Sequence, residues 1–209
     1  MISRSALRNG VLCLAIVALP GLAYATPVTI DFESLADSEV VTNQFSDLTF
    51  SNATAVTAGT SLNEFDFPPY SGQTVVFDDG GPMSISFASP IDDFSGYFTY
   101  VAALSLTAYD ASNNVIAVAT SLFSNNTATG GDAGSSPNEL LTVSSLLGIS
   151  SIVIAGDSSG SSFTLDNLTY DTQGPQATVP EASTLELLLA GGLMLAGMRR
   201  RIRRQVEYR

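Results

Sequence analysis

From residue 28 onward the chain alternates apolar and polar side chains. Val28, Ile30 and Phe32 are separated by Thr29, Asp31 and Glu33, and the same spacing returns at Ile85 and Phe87, at Leu104, Leu106 and Ala108, and at Phe163 and Leu165. Successive side chains of a strand point to opposite faces, so a period of two predicts strands with one face buried. Further runs over 48–55, 74–77, 94–100, 115–123, 140–143 and 151–155 bring the expectation to about ten strands, set apart by Gly, Asn, Asp, Ser and Pro. The segment Asp110–Asn114 has the composition of a hairpin turn. Nothing between Thr26 and Thr178 sustains a helical period, although 143–147 leaves room for one short turn. Short strands at this density in roughly 150 residues predict an all-β fold, an antiparallel β-sandwich of jelly-roll-like type. A chain of that length buries enough apolar surface to hold together without disulfides.

Both ends depart from this pattern. In residues 1–25, Arg4 and Arg8 precede an apolar run from Val11 to Leu19, followed by Ala23-Tyr24-Ala25. A basic start, an apolar centre and small residues at Ala23 and Ala25 predict a signal peptide cut before Thr26. Residues 26–171 then form the β-sandwich domain, and residues 172–178, with Gly174 and Pro175, form a linker. In residues 179–209, Leu185 to Met198 place apolar side chains on every side of a helix, which suits lipid rather than a soluble surface. The predicted helix, 183–198, is short for a span, since about 20 apolar residues are usual and about 17 is the lower limit. Arg199, Arg200, Arg201, Arg203 and Arg204 follow it within the basic tail 199–209 and are expected to stay cytoplasmic.

The order Val179-Pro180-Glu181-Ala182-Ser183-Thr184, a Leu/Gly/Ala span and a terminal Arg cluster resembles the PEP-CTERM sorting signal of Gram-negative bacteria. That signal has Pro-Glu-Pro, where this chain has Ala182 in the third place. The resemblance covers only the tail. It implies an exosortase, a membrane protease, as partner, with cleavage near Val179, Pro180 and Glu181. It also implies a transient stay in the inner membrane and delivery to the cell surface or an exopolysaccharide matrix. Ile30-Asp31-Phe32-Glu33, Ala108-Tyr109-Asp110 and Phe163-Thr164-Leu165-Asp166-Asn167-Leu168 are in turn similar to strands of sandwich domains found in proteins with such tails. They imply a sandwich like those of carbohydrate-binding modules.

Charge narrows the functions open to the domain. The eight basic residues are all arginines, and all lie in the two terminal segments. Of twenty acidic residues, only Glu181, Glu186 and Glu207 lie in the tail, leaving seventeen between Thr26 and Thr178, where there is no Lys, Arg, His or Cys. Without cationic side chains the domain has no footprint for nucleic acid and no clamp for a phosphate. Without His and Cys it lacks a Ser-His or Cys-His nucleophile and the usual zinc ligands. Carboxylate and carbonyl oxygens suit Ca²⁺, the candidate cofactor, which would screen part of this negative charge.

Three groups are candidate sites. Asp31 and Glu33 open the first strand and Asp166 lies in the last. Terminal strands lie side by side in many sandwiches, which would gather these carboxylates around Ca²⁺, while Asp166-Asn167 also has the makings of a bulge. Phe65, Phe67 and Tyr70 surround Pro68-Pro69, and either stack on sugar rings or fold back as lids on the core. Asp78-Asp79-Gly80-Gly81 reads as a turn, and the polar run 124–138 as a mobile loop. The expectation is an exported, non-enzymatic binding or structural protein associated with extracellular polysaccharide. Two alternatives stay open: a glycan-acting enzyme built on paired carboxylates, and a calcium-dependent carbohydrate-binding module.

Overall fold

The computed structural model describes residues 26–172. Nine antiparallel strands form there: β1 (Pro27–Ile30), β2 (Leu48–Ser51), β3 (Ala53–Thr57), β4 (Thr74–Asp78), β5 (Met83–Tyr100), β6 (Ser105–Tyr109), β7 (Val115–Thr120), β8 (Glu139–Ala155) and β9 (Phe163–Thr172). The path runs β3-β4-β9-β5-β8-β6-β7, with β1 joined to β9 and β2 to β5.

Two long strands make the path into a sandwich. The first part of β5 pairs with β2 and with the end of β8, through Ile85↔Phe50 and Ile85↔Ile152. After a shift between Ser86 and Ile91 its second part pairs with β9 and with the start of β8, through Phe98↔Leu165 and Phe98↔Glu139. The core positions move with the shift. Met83, Ile85 and Phe87 are buried before it, and Phe94, Phe98 and Tyr100 after it. Rings from the two parts then meet: Phe87 of the first lies 6.4 Å from Phe94 of the second and 5.6 Å from Tyr170 of β9, which pairs with that second part. The expected separate strands around 85 and 94, and around 140 and 151, are thus single strands interrupted by bulges. The short turn expected at 143–147 is instead the bulged part of β8, where Leu146 and Leu147 stand in solvent.

Elsewhere the boundaries follow backbone conformation. The expected run 48–55 divides at Asn52, whose φ of 54° sends the chain from β2 into β3. Strand β1 ends at Ile30 and Phe32 takes a φ of 62°, although burial goes on alternating through Glu33 and Phe32 stays fully buried. Positive φ is costly for a bulky residue and survives where packing over-determines it. Here the rings of Phe45 and Phe50 hold Phe32 edge-on.

Among the described residues no helix is long and apolar enough to cross a membrane. The signal cleavage site, the linker beyond 172, the motif at Val179–Glu181, the helix 183–198 and the arginine cluster lie outside the described residues.

Candidate functional site

The outer face of β4, β9 and the second half of β5 is where the candidate residues converge. Strand β9 presents Thr164 and Asp166 on that face, because Leu165 between them is in the core. The register sets Thr99 beside Thr164 and Tyr97 beside Asp166. The loop 58–73 crosses over this face and carries Phe65, Phe67 and Tyr70.

Two carboxylates fasten that loop. Glu33 Oε1 accepts the backbone N–H groups of Gln73 (2.9 Å) and Thr74 (2.8 Å). The approach is so close that a Cβ on Gly72, where φ is +55°, would fall on the Glu33 carboxyl. Asp166 Oδ2 accepts from Ser71 N (2.9 Å), and its Oδ1 accepts from Asn167 N (2.7 Å). Asn167, at φ 45°, forms the bulge, and its Oδ1 accepts from the Ser71 hydroxyl at 2.8 Å. Asp166 is 2% exposed. Burial pushes its carboxyl up to about 6, against the pull of the Ser71, Asn167 and Tyr70 N–H groups, and the Glu33 charge adds to the rise.

The loop so held lays Tyr70 on Tyr97, with ring centroids 3.5 Å apart and planes 10° from parallel. Tyr70 remains 47% exposed, so its ring backs onto Tyr97 while part of its surface faces solvent. The Tyr70 phenol bonds to Tyr97 and pushes the Tyr97 phenol up. Phe67 does not join this stack. It lines a cleft of about 220 Å³ with Val56, Leu62, Phe77 and Thr164. Phe65 is 78% exposed and stands clear of the core. The three aromatics therefore divide between the two expected roles: Phe67 covers apolar surface, whereas Tyr70 and Phe65 reach solvent.

The run 124–138 supports the same face from the other side. In place of an apolar anchor it has a polar one, the fully buried Asn126. Asn126 Oδ1 accepts from Tyr100 N (2.7 Å), and its amide donates to Phe98 O (2.9 Å), so one side chain continues the β5 ladder where β8 has ended. Asp132 gathers the N–H groups of Ser124 and Asn125. Ala128 N donates to Asp66 O and Asn138 Nδ2 to Pro68 O, which ties this run to the aromatic loop. The expectation of a mobile loop there missed this bonding, because the sequence shows only polar residues and not their partners.

Of the residues expected around Ca²⁺, Glu33 and Asp166 come together, with Glu33 Oε1 and both Asp166 oxygens on backbone N–H groups, and Asp31 is exposed with its Oδ1 on the N–H of Glu33. Among the described residues no group of three His, Cys, Asp or Glu side chains is placed to hold a metal. Asp78-Asp79-Gly80-Gly81 makes the expected turn, with φ of 87° and 135° at its glycines. Asp78 itself is fully buried, taking the N–H groups of Ser162 and Phe163 and the Ser162 hydroxyl, and burial pushes its carboxyl up.

Tyr97 is the site residue that sequence reasoning missed. Its signal was present: in the alternation from Phe94 to Tyr100 it is the aromatic residue on the non-core face.

No family model and no curated protein matches the chain. Solved structures do. The K1 cleaved adhesin domain of Lys-gingipain from Porphyromonas gingivalis is similar at a TM-score of 0.45 and 12% identity, over 71% of this chain and 99% of that one. A DUF4465 family protein from Bacteroides caccae has a TM-score of 0.45 and 12% identity, over 69% and 98%. The family 11 carbohydrate-binding module of a cellulosomal cellulase of Clostridium thermocellum has a TM-score of 0.34 and 12% identity, over 71% and 95%.

Proposed function

We propose that the chain is an exported, non-enzymatic protein that binds extracellular polysaccharide through the Tyr70–Tyr97 platform. The observation that carries this reading is the exposed Tyr70 ring, backed by Tyr97 and fixed by the N–H bonds of its loop to Glu33 and Asp166. A rigid aromatic ring gives apolar contact area at low entropic cost, and the C–H faces of a sugar ring fit such a surface. The next residue, Ser71, donates its hydroxyl proton to Asn167 Oδ1 and keeps its own oxygen as an acceptor beside the platform.

Export belongs to the same proposal. The terminal segments hold every arginine, so their removal leaves a domain with no cationic side chain, suited to a soluble life at the surface or in a matrix. The tail order from Val179 to Arg204 supports cleavage by an exosortase after a transient inner-membrane stage.

The glycan-acting alternative draws on Glu33 and Asp166, since a glycosidase needs one carboxyl group held protonated near another. Asp166 is protonated more readily than an ordinary carboxylate. Both its oxygens nevertheless face backbone N–H groups, and only 2% of the residue meets solvent, so a glycosidic oxygen has no approach to it.

Affinity electrophoresis of the exported protein through gels containing neutral polysaccharides tests the reading. Retention of the wild type, with at least tenfold weaker binding by Tyr70→Ala, about 1.4 kcal/mol, is expected. Equal retention of the two proteins, or no retention of the wild type on any polysaccharide, would overturn it.

A further inference from the structure

Tyrosine is the side chain of this domain most open to oxidation. Residues 26–178 contain no Cys, Trp or His, and their one methionine, Met83, is fully buried. The tyrosines there are Tyr70, Tyr97, Tyr100, Tyr109 and Tyr170. Tyr100 and Tyr170 are buried, the first with its hydroxyl on Glu139. Tyr70 is 47% exposed, and Tyr97 is half-buried against it. Among the described residues these two make the one ring pair composed of two tyrosines.

The stack is closer than is usual for aromatic pairs, whose centroids lie about 4.5–7 Å apart. Non-bonded carbon atoms meet at about 3.5–4.0 Å. Centroids 3.5 Å apart in planes 10° from parallel therefore leave little sideways offset, and ring lies over ring. The two phenol groups hydrogen-bond to each other, so both hydroxyls lie at the same end of the stack. The ring carbons flanking one hydroxyl then face those flanking the other.

We propose that Tyr70 and Tyr97 form an oxidative cross-linking site, at which hydrogen peroxide and a one-electron peroxidase join the two rings as dityrosine. Each phenol loses one electron and one proton, giving two phenoxyl radicals. The unpaired electron of such a radical is shared with the carbons flanking the oxygen, in orbitals perpendicular to the ring, which here point along the stack. Pairing of the two electrons forms a C–C bond between one flanking carbon of each ring. Each of these carbons then releases its proton while the oxygen takes one up, which restores both phenols. The two hydrogen atoms lost overall reduce one peroxide to two waters. Tyr70 belongs to the loop 58–73 and Tyr97 to β5, so the bond fastens loop to strand. It also closes the chain from Tyr70 to Tyr97 into a ring and constrains the unfolded state as a disulfide does, in a domain without cysteine. The chemistry needs only the stacked pair and no bound sugar.

Treatment of the exported protein with peroxide and a haem peroxidase, at low protein concentration, is the test. Digestion at acidic residues follows, since no Lys or Arg lies within 26–178. The expected product runs as a monomer on a denaturing gel, is lighter by two hydrogen atoms, shows dityrosine fluorescence and yields a linked peptide pair carrying Tyr70 and Tyr97. Tyr70→Phe and Tyr97→Phe keep a ring at each place and are each expected to lose most of that fluorescence, whereas Tyr109→Phe keeps it. Urea unfolding checks that the variants are folded, and if one of Y70F and Y97F is not, the other carries the test. A wild type that forms no dityrosine, a link between other tyrosines, chains joined only to one another, or a folded Y70F or Y97F that fluoresces as the wild type does overturns the proposal.

Discussion

Asp166 stands between two opposing effects, and its titration tells which one dominates. The side chain is 2% exposed, which penalises the charged form, while N–H groups of Ser71 and Asn167 point at its oxygens and favour it. Burial wins, and the carboxyl titrates at about 6 in the folded protein against a reference value of 3.8. Between these values the folded state binds more protons than the unfolded chain, so this group's contribution to stability falls as pH rises. It is most favourable below about pH 4, declines through pH 6 and levels off above it. The difference of about two pKa units corresponds to about 3 kcal/mol. Asp166→Asn removes the titration but keeps the shape. Its amide nitrogen opposes one backbone N–H, at a cost of about 1–3 kcal/mol that does not vary with pH. The stability advantage of wild type over D166N is therefore expected to shrink by about 3 kcal/mol from pH 4 to pH 7. In a domain of this size that is a change of about 6–12 °C in the difference of Tm. Urea unfolding or differential scanning calorimetry of both proteins across that range measures it. Parallel curves, or an advantage that widens with pH, would mean that the N–H donors outweigh burial and that the reasoning is wrong.

Three further outcomes are expected, two from the structure and one from the proposed processing of the tail. Asn126→Ala leaves Tyr100 N and Phe98 O without partners in a buried place, and should lower the urea-derived stability by about 2–4 kcal/mol. Gly96→Ala puts a methyl group against Leu165 Cδ1 beneath the platform strand, and should cost about 1–3 kcal/mol of overpacking by the same measurement. Mass spectrometry of the protein recovered from the surface of the native host should find a C-terminus near Pro180-Glu181 and no peptide from Arg199–Arg204; an intact tail would make the domain a tethered one.

The alternation of residues carried the fold class, because the period of two is a local property of strands and needs no partner to be read. It could not show that β5 and β8 each run through both layers. The shifts after Ser86 and Ser144 arise from pairing between residues far apart in sequence. Backbone reversals at Phe32 and Asn52 were equally hidden, since neither a bulky aromatic nor a single asparagine announces positive φ within an apolar run.

Composition alone determined what the domain lacks. No Lys, Arg, His or Cys lies between Thr26 and Thr178, and that holds in any fold. The adjacency of the terminal strands was also foreseeable, and Ile30↔Leu168 places Glu33 near Asp166 as expected of a sandwich. What those carboxylates do was decided only in three dimensions. A carboxylate's role depends on which donors reach it, and here they are backbone N–H groups of a loop some forty to ninety-five residues away in sequence. The platform likewise needed the tertiary structure. Tyr70 and Tyr97 are unremarkable aromatics twenty-seven positions apart until two buried or bonded carboxylates bring one loop down onto one strand.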